Sequence, residues 1–223
     1  MGHLPQRPDF HILLQDWADR GPSRVHPGAA PGWIAPMIAA LQLATPYQLS
    51  INDPPADSVG KRQAAVLVLI SGSADTGPAV VLLRRARHLR DHGGEVGFPG
   101  GGWEPGDASP VETALREAAE EIGVDPTGID PLAVLPRLLI RASGFEVTAV
   151  IAYWRELSPI CPVDRAETEE VLGVALRDIA PADRWSTLTV PDLDWSGPSV
   201  LLSGSTLVWG YTAELLSFMC RYV

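Results

Sequence analysis

A glycine-rich loop that runs straight into an acidic helix, GEVGFPGGGWEPGDASPVETALREAAEEIGV over residues 94–124, constrains this chain more than any other stretch. Its helix start is legible. Ser109 supplies the N-cap, Pro110 suits the first helical position, and Glu112 stands where a capping box needs it. Gly123 supplies the C-terminal stop, so the spacing predicts a helix over Pro110–Ile122. Leu115, Ala118 and Ile122 fall on one apolar face.

The opposite face carries Glu117, Glu120 and Glu121, whose spacing projects the side chains together. Like charges so placed repel by a few tenths of a kcal/mol per pair. A hard divalent cation offsets that repulsion, since Mg²⁺ takes carboxylate oxygens and keeps phosphates and water as its remaining ligands. A solvated acidic face has the same spacing. The loop separates the two readings, because glycine backbone N–H groups approach phosphate oxygens without side-chain obstruction.

The nine residues Arg116–Val124 match R-E-U-x-E-E-x-G-U, with U apolar, and here the chain resembles the second half of the Nudix box. In that family a Glu eight residues before the Arg pairs with it. This chain has Ala108 there and Asp107 one residue earlier, which reads as a one-residue insertion with Asp107 in the role of that Glu. Upstream, LLRRARHLRDHGGEVGFPGG over residues 82–101 resembles the pattern that precedes the box in coenzyme A diphosphatases of the Nudix superfamily. Ala86, Gly93 and Glu95 stand where Ser, Lys and Gln are usual. Downstream, SGFEVTAV over residues 143–150 is similar to the same subfamily's S-G-x-x-V-T-P-V strand, with Ala149 in place of proline. Trp209-Gly210 and the helix after them resemble its C-terminal end, so the likeness runs from about Gln63 to the C-terminus.

The resemblance implies an α/β fold, the Nudix α/β/α sandwich, with the box helix on one face of a mixed β-sheet and the terminal helix on the other. It implies metal-dependent hydrolysis of a nucleoside diphosphate linked to another moiety, foremost coenzyme A or an acyl-CoA. Glu117, Glu120 and Glu121 would hold Mg²⁺ or Mn²⁺, and one of them or Glu167 would accept the proton. Phe98, Gly100 and Gly101 would line the substrate site. Two alternatives stay open at this stage: a Nudix hydrolase of ADP-ribose, NADH or a damaged nucleotide, and a nucleotide-binding module without turnover.

Arg84, Arg85, Arg87, His88, Arg90 and His92 cluster just before the loop in a chain of formal net charge −10. The four arginines are candidates for an anion-binding lip, since guanidinium forks match phosphate oxygens. Strand alternation turns neighbours such as Arg84 and Arg85 to opposite sides, so not all can reach one ligand. The acidic balance argues against non-specific nucleic-acid binding. Two cysteines, Cys161 and Cys220, give no disulfide framework. The N-terminus lacks a basic-then-apolar leader pattern, and no apolar run reaches the roughly 18 residues of a membrane span. The expected protein is soluble and cytoplasmic, binds a small coenzyme A-like nucleotide, needs neither nucleic acid nor membrane, and has room for a homodimer.

Two parts are expected. Residues 1–60 form a helical extension and linker, with helices at 8–20 and at Trp33–Leu43, the second interrupted at Pro36, and a loop over Thr45–Gly60. Residues 61–223 form the hydrolase domain. Strands are expected at Ala64–Ile70, Ala79–Arg85, Leu132–Arg141, Phe145–Trp154 and Val171–Leu176. Further strands are expected at Arg184–Val190 and Ser199–Leu202 around a Pro-rich turn, before a final helix.

Overall fold

A computed structural model describes residues 17–50, 52, 62–90, 92–141, 143–202 and 206–223. Of the helix expected over 8–20, residues 8–16 lie outside the described residues, as do residues 53–60 of the loop expected over Thr45–Gly60. The described start of that loop is instead a short helix, Pro46–Leu49, because Pro46 suits its first position and Thr45 and Gln48 cap it. At the centre is β1 (Gln63–Ser73), the apolar run read from the sequence. It pairs antiparallel with β2 (Gly77–Arg85) and with the short β4 (Gly100–Gly102), and parallel with β7 (Phe145–Trp154). β3 (Val96–Gly97) and β8 (Thr168–Ala175) flank β2, while β5 (Ile129–Val134) and β6 (Leu138–Ile140) flank β7. The result is a mixed sheet of eight strands.

Both faces of this sheet are covered, which is why its central strands read as continuous hydrophobic runs. Ala65, Leu67 and Leu69 of β1 pack under α3 (Pro110–Ile122) together with Val150 and Ala152 of β7. Their neighbours Val68 and Ile70 point the other way, into a core built with α1 (Ala35–Leu43) and α5 (Gly210–Met219). Each fully buried Leu or Ile contributes about 1.5–3 kcal/mol. The short α2 (Pro46–Leu49) and α4 (Leu176–Ile179) complete the second layer, with Leu49 and Leu176 buried in it. None of the described helices is long and apolar enough to cross a membrane.

The box helix spans the predicted residues, capped by Ser109, which accepts a hydrogen bond from the Glu112 N–H, and closed by Gly123 at φ 69°. Its buried face centres on Val111, Ala114, Ala118 and Ile122, with Leu115 at the flank. Three further expectations need correction. Pro36 does not interrupt its helix; it sits in the first turn of α1, where its missing N–H costs nothing. The strand expected over Leu132–Arg141 is split into β5 and β6 around Pro136, which cannot donate to a ladder. The segment expected as a turn up to Pro198 is a strand from Trp195 onward. β9 (Trp185–Val190), β10 (Trp195–Leu201) and β11 (Leu207–Val208) form a separate three-stranded antiparallel sheet. Pro198 is tolerated because β11 pairs only with Val200 and Leu201, leaving Pro198 with sheet on one side.

Candidate active site

Two glycines set the geometry where the loop meets the helix. Gly100 has φ 155°, and a Cβ there would come within 2.4 Å of the Ala65 carbonyl oxygen. Its N–H donates to Glu121 Oε2 at 2.8 Å. A Cβ on Gly101 would meet the Glu117 carboxyl at 2.5 Å, so only glycine lets that carboxyl lie against the loop. The chain thus brings the carboxylates of Glu117 and Glu121 onto bare backbone.

These carboxylates are under electrostatic pressure. Burial pushes Glu121 up to about 7, and the charges of Glu117 and Glu167 push the same way, against the Gly100 N–H and Arg85. Burial raises Glu117 as well, with Glu120 and Glu104 adding to it and Arg116 opposing. Arg85 Nη1 stands 3.9 Å from Glu121 Oε1, a loose contact. The Arg85 Nε is buried without a hydrogen-bond partner among the described residues.

The other end of the loop is the reverse. Arg116 grips Asp107 with a fork, Nε to Oδ1 at 3.1 Å and Nη2 to Oδ2 at 3.0 Å. Arg116 Nη2 also donates to the Gly102 carbonyl at 2.9 Å. The Glu104 N–H and the Thr113 hydroxyl donate to Asp107 Oδ2 at 3.1 and 2.9 Å. Burial alone would raise the Asp107 carboxyl; the bonds from Arg116, Glu104 and Thr113 outweigh it and hold the group below the usual carboxylate range. Asp107 therefore makes the pair the resemblance implied, and the shorter side chain is reached across the extra loop residue. Glu112 reaches back to the Ala108 N–H at 2.9 Å, one residue before the expected partner of a capping box.

A cavity of about 310 Å³ opens beside Glu121 and brings together Arg85, Phe98, Gly100 and Gly101. Arg84, the next residue along β2, does not line it. It pairs with Glu170 at 2.9 Å and Glu169 at 3.8 Å and donates to the Thr206 hydroxyl. Arg87 is exposed and pairs with Glu169 at 3.5 Å, and Arg90 is exposed; neither lines the cavity. Glu120 is 59% exposed and pairs with Arg116 at 2.9 Å. Glu167 is exposed, its carbonyl accepting from the Ala86 N–H at 2.8 Å, and its charge reaches Glu121. Arg141, Asp194, Trp195, Trp209 and Tyr211 also line the cavity, and the sequence reading missed them. Trp209 had a signal in the resemblance of Trp209-Gly210 to the subfamily's C-terminal end; Arg141 and Asp194 had none, since non-local pairing brings them here.

Among the described residues, no three His, Cys, Asp or Glu side chains stand together as a metal-binding set. Arg116 draws Glu120 and one Glu117 oxygen toward itself, while Glu121 turns to Gly100. Glu117 and Glu121 nevertheless fit a hard divalent cation. Both are partly buried oxygen donors, and the charge that raises Glu121 is the kind a cation offsets.

The architecture is that of a layered α/β protein, a mixed sheet with helices on both faces and helix carboxylates held against a glycine loop. The NUDIX domain family matches residues 61–190. The chain is 35% identical over 181 residues to the protein named Uncharacterized Nudix hydrolase NudL of Yersinia enterocolitica, covering 79% of this chain and 89% of that one. It is 37% identical over 164 residues to the protein of the same name from Salmonella newport, covering 72% and 82%. A MutT/nudix family protein from Enterococcus faecalis aligns over 85% of this chain and 73% of its own, at 17% identity and a TM-score of 0.47. The chain belongs to the Nudix hydrolase family. It is a pyrophosphohydrolase acting on phosphoanhydride bonds of nucleoside diphosphate derivatives, in a family that generally uses divalent metal ions.

Proposed function

We propose that the substrate is coenzyme A or an acyl-CoA, cleaved across its diphosphate bridge to 3′,5′-ADP and 4′-phosphopantetheine or its acylated form. The observation that supports this best is the pairing of Arg85 with Arg141 on one cavity that also holds Gly100, Gly101 and Glu121. Two guanidiniums suit a ligand with two separate anionic groups, and coenzyme A has a diphosphate bridge and a 3′-phosphate. The upstream residues that resemble coenzyme A diphosphatases end in Phe98, Gly100 and Gly101, all on this cavity.

In this reading Arg85 binds the bridge oxygens through the exposed part of its guanidinium. Glu117 and Glu121 would hold Mg²⁺ or Mn²⁺, with Glu120 the outermost of the three candidates. When bound, the cation supplies charge neutralisation at the bridge. The oxygen of a water adds to one phosphorus, and the bond from that phosphorus to the bridging oxygen breaks. The water's proton passes to a carboxylate, one of the helix glutamates or Glu167. Attack at either phosphorus gives the same two products.

Product analysis by mass spectrometry on equal concentrations of coenzyme A, dephospho-CoA, ADP-ribose and NADH tests the reading. Coenzyme A should have the highest kcat/KM, about tenfold above dephospho-CoA, because charge-assisted contacts to one phosphate contribute ~1.5–3 kcal/mol. A higher kcat/KM for ADP-ribose or NADH would overturn the substrate and leave the Nudix chemistry standing.

A further inference from the structure

The small C-terminal sheet supplies a second wall to the cavity. Leu193, Asp194 and Trp195 come from the turn into β10, and Trp209 and Tyr211 from the start of α5. Trp195 and Trp209 meet edge to face, with ring centroids 5.3 Å apart and planes at 72°. The Trp195 ring is fixed by backbone, since a Cβ on Gly197 would meet it at 2.6 Å. Trp195 is buried, whereas Trp209 is only half-buried and has ring surface to offer.

Among the described residues, two that are not glycine have positive φ, His92 at 59° and Asp194 at 48°, and both line this cavity. Asp and His take this backbone more readily than most side chains, and it is over-represented at ligand sites. The Asp194 carboxylate is exposed and makes no hydrogen bond or ion pair among the described residues. The pantetheine arm has N–H donors for such an acceptor but no ring to lay on an aromatic wall. A ring with an exocyclic amine uses both.

Resting on the substrate reading above, we propose that this wall recognises the adenine base of the substrate. Trp209 stacks on the ring, and the Asp194 carboxylate accepts a hydrogen bond from the 6-amino group. Hypoxanthine has a carbonyl oxygen at that position and would set acceptor against acceptor, so the site discriminates between the two purines. Neither Asp194 nor Trp209 is a candidate ligand or base for hydrolysis.

Calorimetric titration of the full chain with 5′-ADP and with 5′-IDP tests this without turnover. The wild type should bind 5′-ADP tighter by about tenfold or more, the range of a charge-assisted hydrogen bond. Asp194→Asn keeps a residue that tolerates this backbone and can turn its NH₂ toward a carbonyl. It should bring the two ligands within about twofold, a change that a merely structural role would not produce. Trp209→Leu should weaken both ligands about equally, by about fivefold or more. Equal wild-type affinities, an unchanged ratio in Asp194→Asn, or unchanged affinities in folded Trp209→Leu would each overturn the proposal. If Trp209→Leu does not fold, the Asp194→Asn ratio decides. Coenzyme A hydrolysis without base preference sinks this site alone; base preference without coenzyme A hydrolysis sinks the substrate reading alone.

Discussion

Two arginine–carboxylate contacts flank the same loop and helix, and they are built oppositely. At the Asp107 end, Arg116 makes a two-pronged grip, and the Glu104 N–H and the Thr113 hydroxyl bond the same carboxylate. At the Glu121 end, Arg85 stands off at 3.9 Å with its Nε unmatched, and the carboxyl is pushed up to about 7 by burial and by its neighbours' charge. The first contact closes the hydrogen bonds of Asp107 and holds the loop in place, while the remaining guanidinium nitrogen of Arg116 reaches Glu117 and Glu120. The second leaves a carboxylate and a guanidinium each short of partners, and therefore able to take a cation and an anion. On the proposed reading, the charge that holds the loop is satisfied within the fold and the charge that meets the ligand is not.

The largest expected effect is at the unsatisfied end. Glu121→Gln should lower kcat by about 10²–10⁴ at saturating Mg²⁺ while the protein stays folded. Wild-type kcat in that variant would remove Glu121 from the site. At the satisfied end the loss should be of stability. Arg116→Ala leaves the Asp107 carboxylate, 7% exposed, without its fork. It should cost ~2–4 kcal/mol, read as a lower urea midpoint at unchanged m-value. A midpoint within error of the wild type would mean that this contact does not hold the loop.

The neighbours Arg84 and Arg85 sharpen the contrast within a single strand. Arg85→Ala should raise KM about tenfold with little change in kcat, the mark of lost uniform binding. Arg84→Ala breaks contacts to half-exposed glutamates, so it should leave KM alone and cost at most ~1 kcal/mol of stability. If the two phenotypes were exchanged, the anion-binding face of β2 would be the one turned to Glu169 and Glu170.

How much of this was legible follows from how local each feature is. The box helix could be read to the residue because its caps, its turn and its period lie within the segment. The Asp107–Arg116 pair lies within the same motif, so resemblance reached it. Alternation told that Arg84 and Arg85 part company but not which one meets the helix glutamates; only the pairing of β2 with β8 places Glu169 and Glu170 beside Arg84. The second wall was hidden because Gly197 and Pro198 made β10 read as a turn, although Gly197 is there to seat the Trp195 ring. Arg141 and Asp194 carry no local pattern; strand pairing across the chain brings them to the cavity. The spacing of Glu117, Glu120 and Glu121 predicted a joint cluster, but Arg116 competes for Glu120.

The central claim, that Glu121 is left unsatisfied in order to meet a cation, is tested most directly by thermal unfolding of the wild type and Glu121→Gln with EDTA and with Mg²⁺. In the folded, metal-free chain this carboxyl is raised from 4.5 to about 7. A raised acid is protonated in both states below pH 4.5, so no stability is lost there. As pH climbs from 4.5 to 7 the unfolded chain is already ionised while the folded one keeps its proton, so stability falls through that window and levels off above it. The shift, with the Gly100 bond already included, corresponds to at most about 3 kcal/mol, and solvent screening reduces the net gain for the variant to about 1 kcal/mol. In EDTA at pH 8, Glu121→Gln should therefore melt above the wild type, the gap should close by pH 5, and Mg²⁺ should raise the wild type far more than the variant. A variant that melts below the wild type in EDTA at pH 8, or that gains as much from Mg²⁺, would contradict the account.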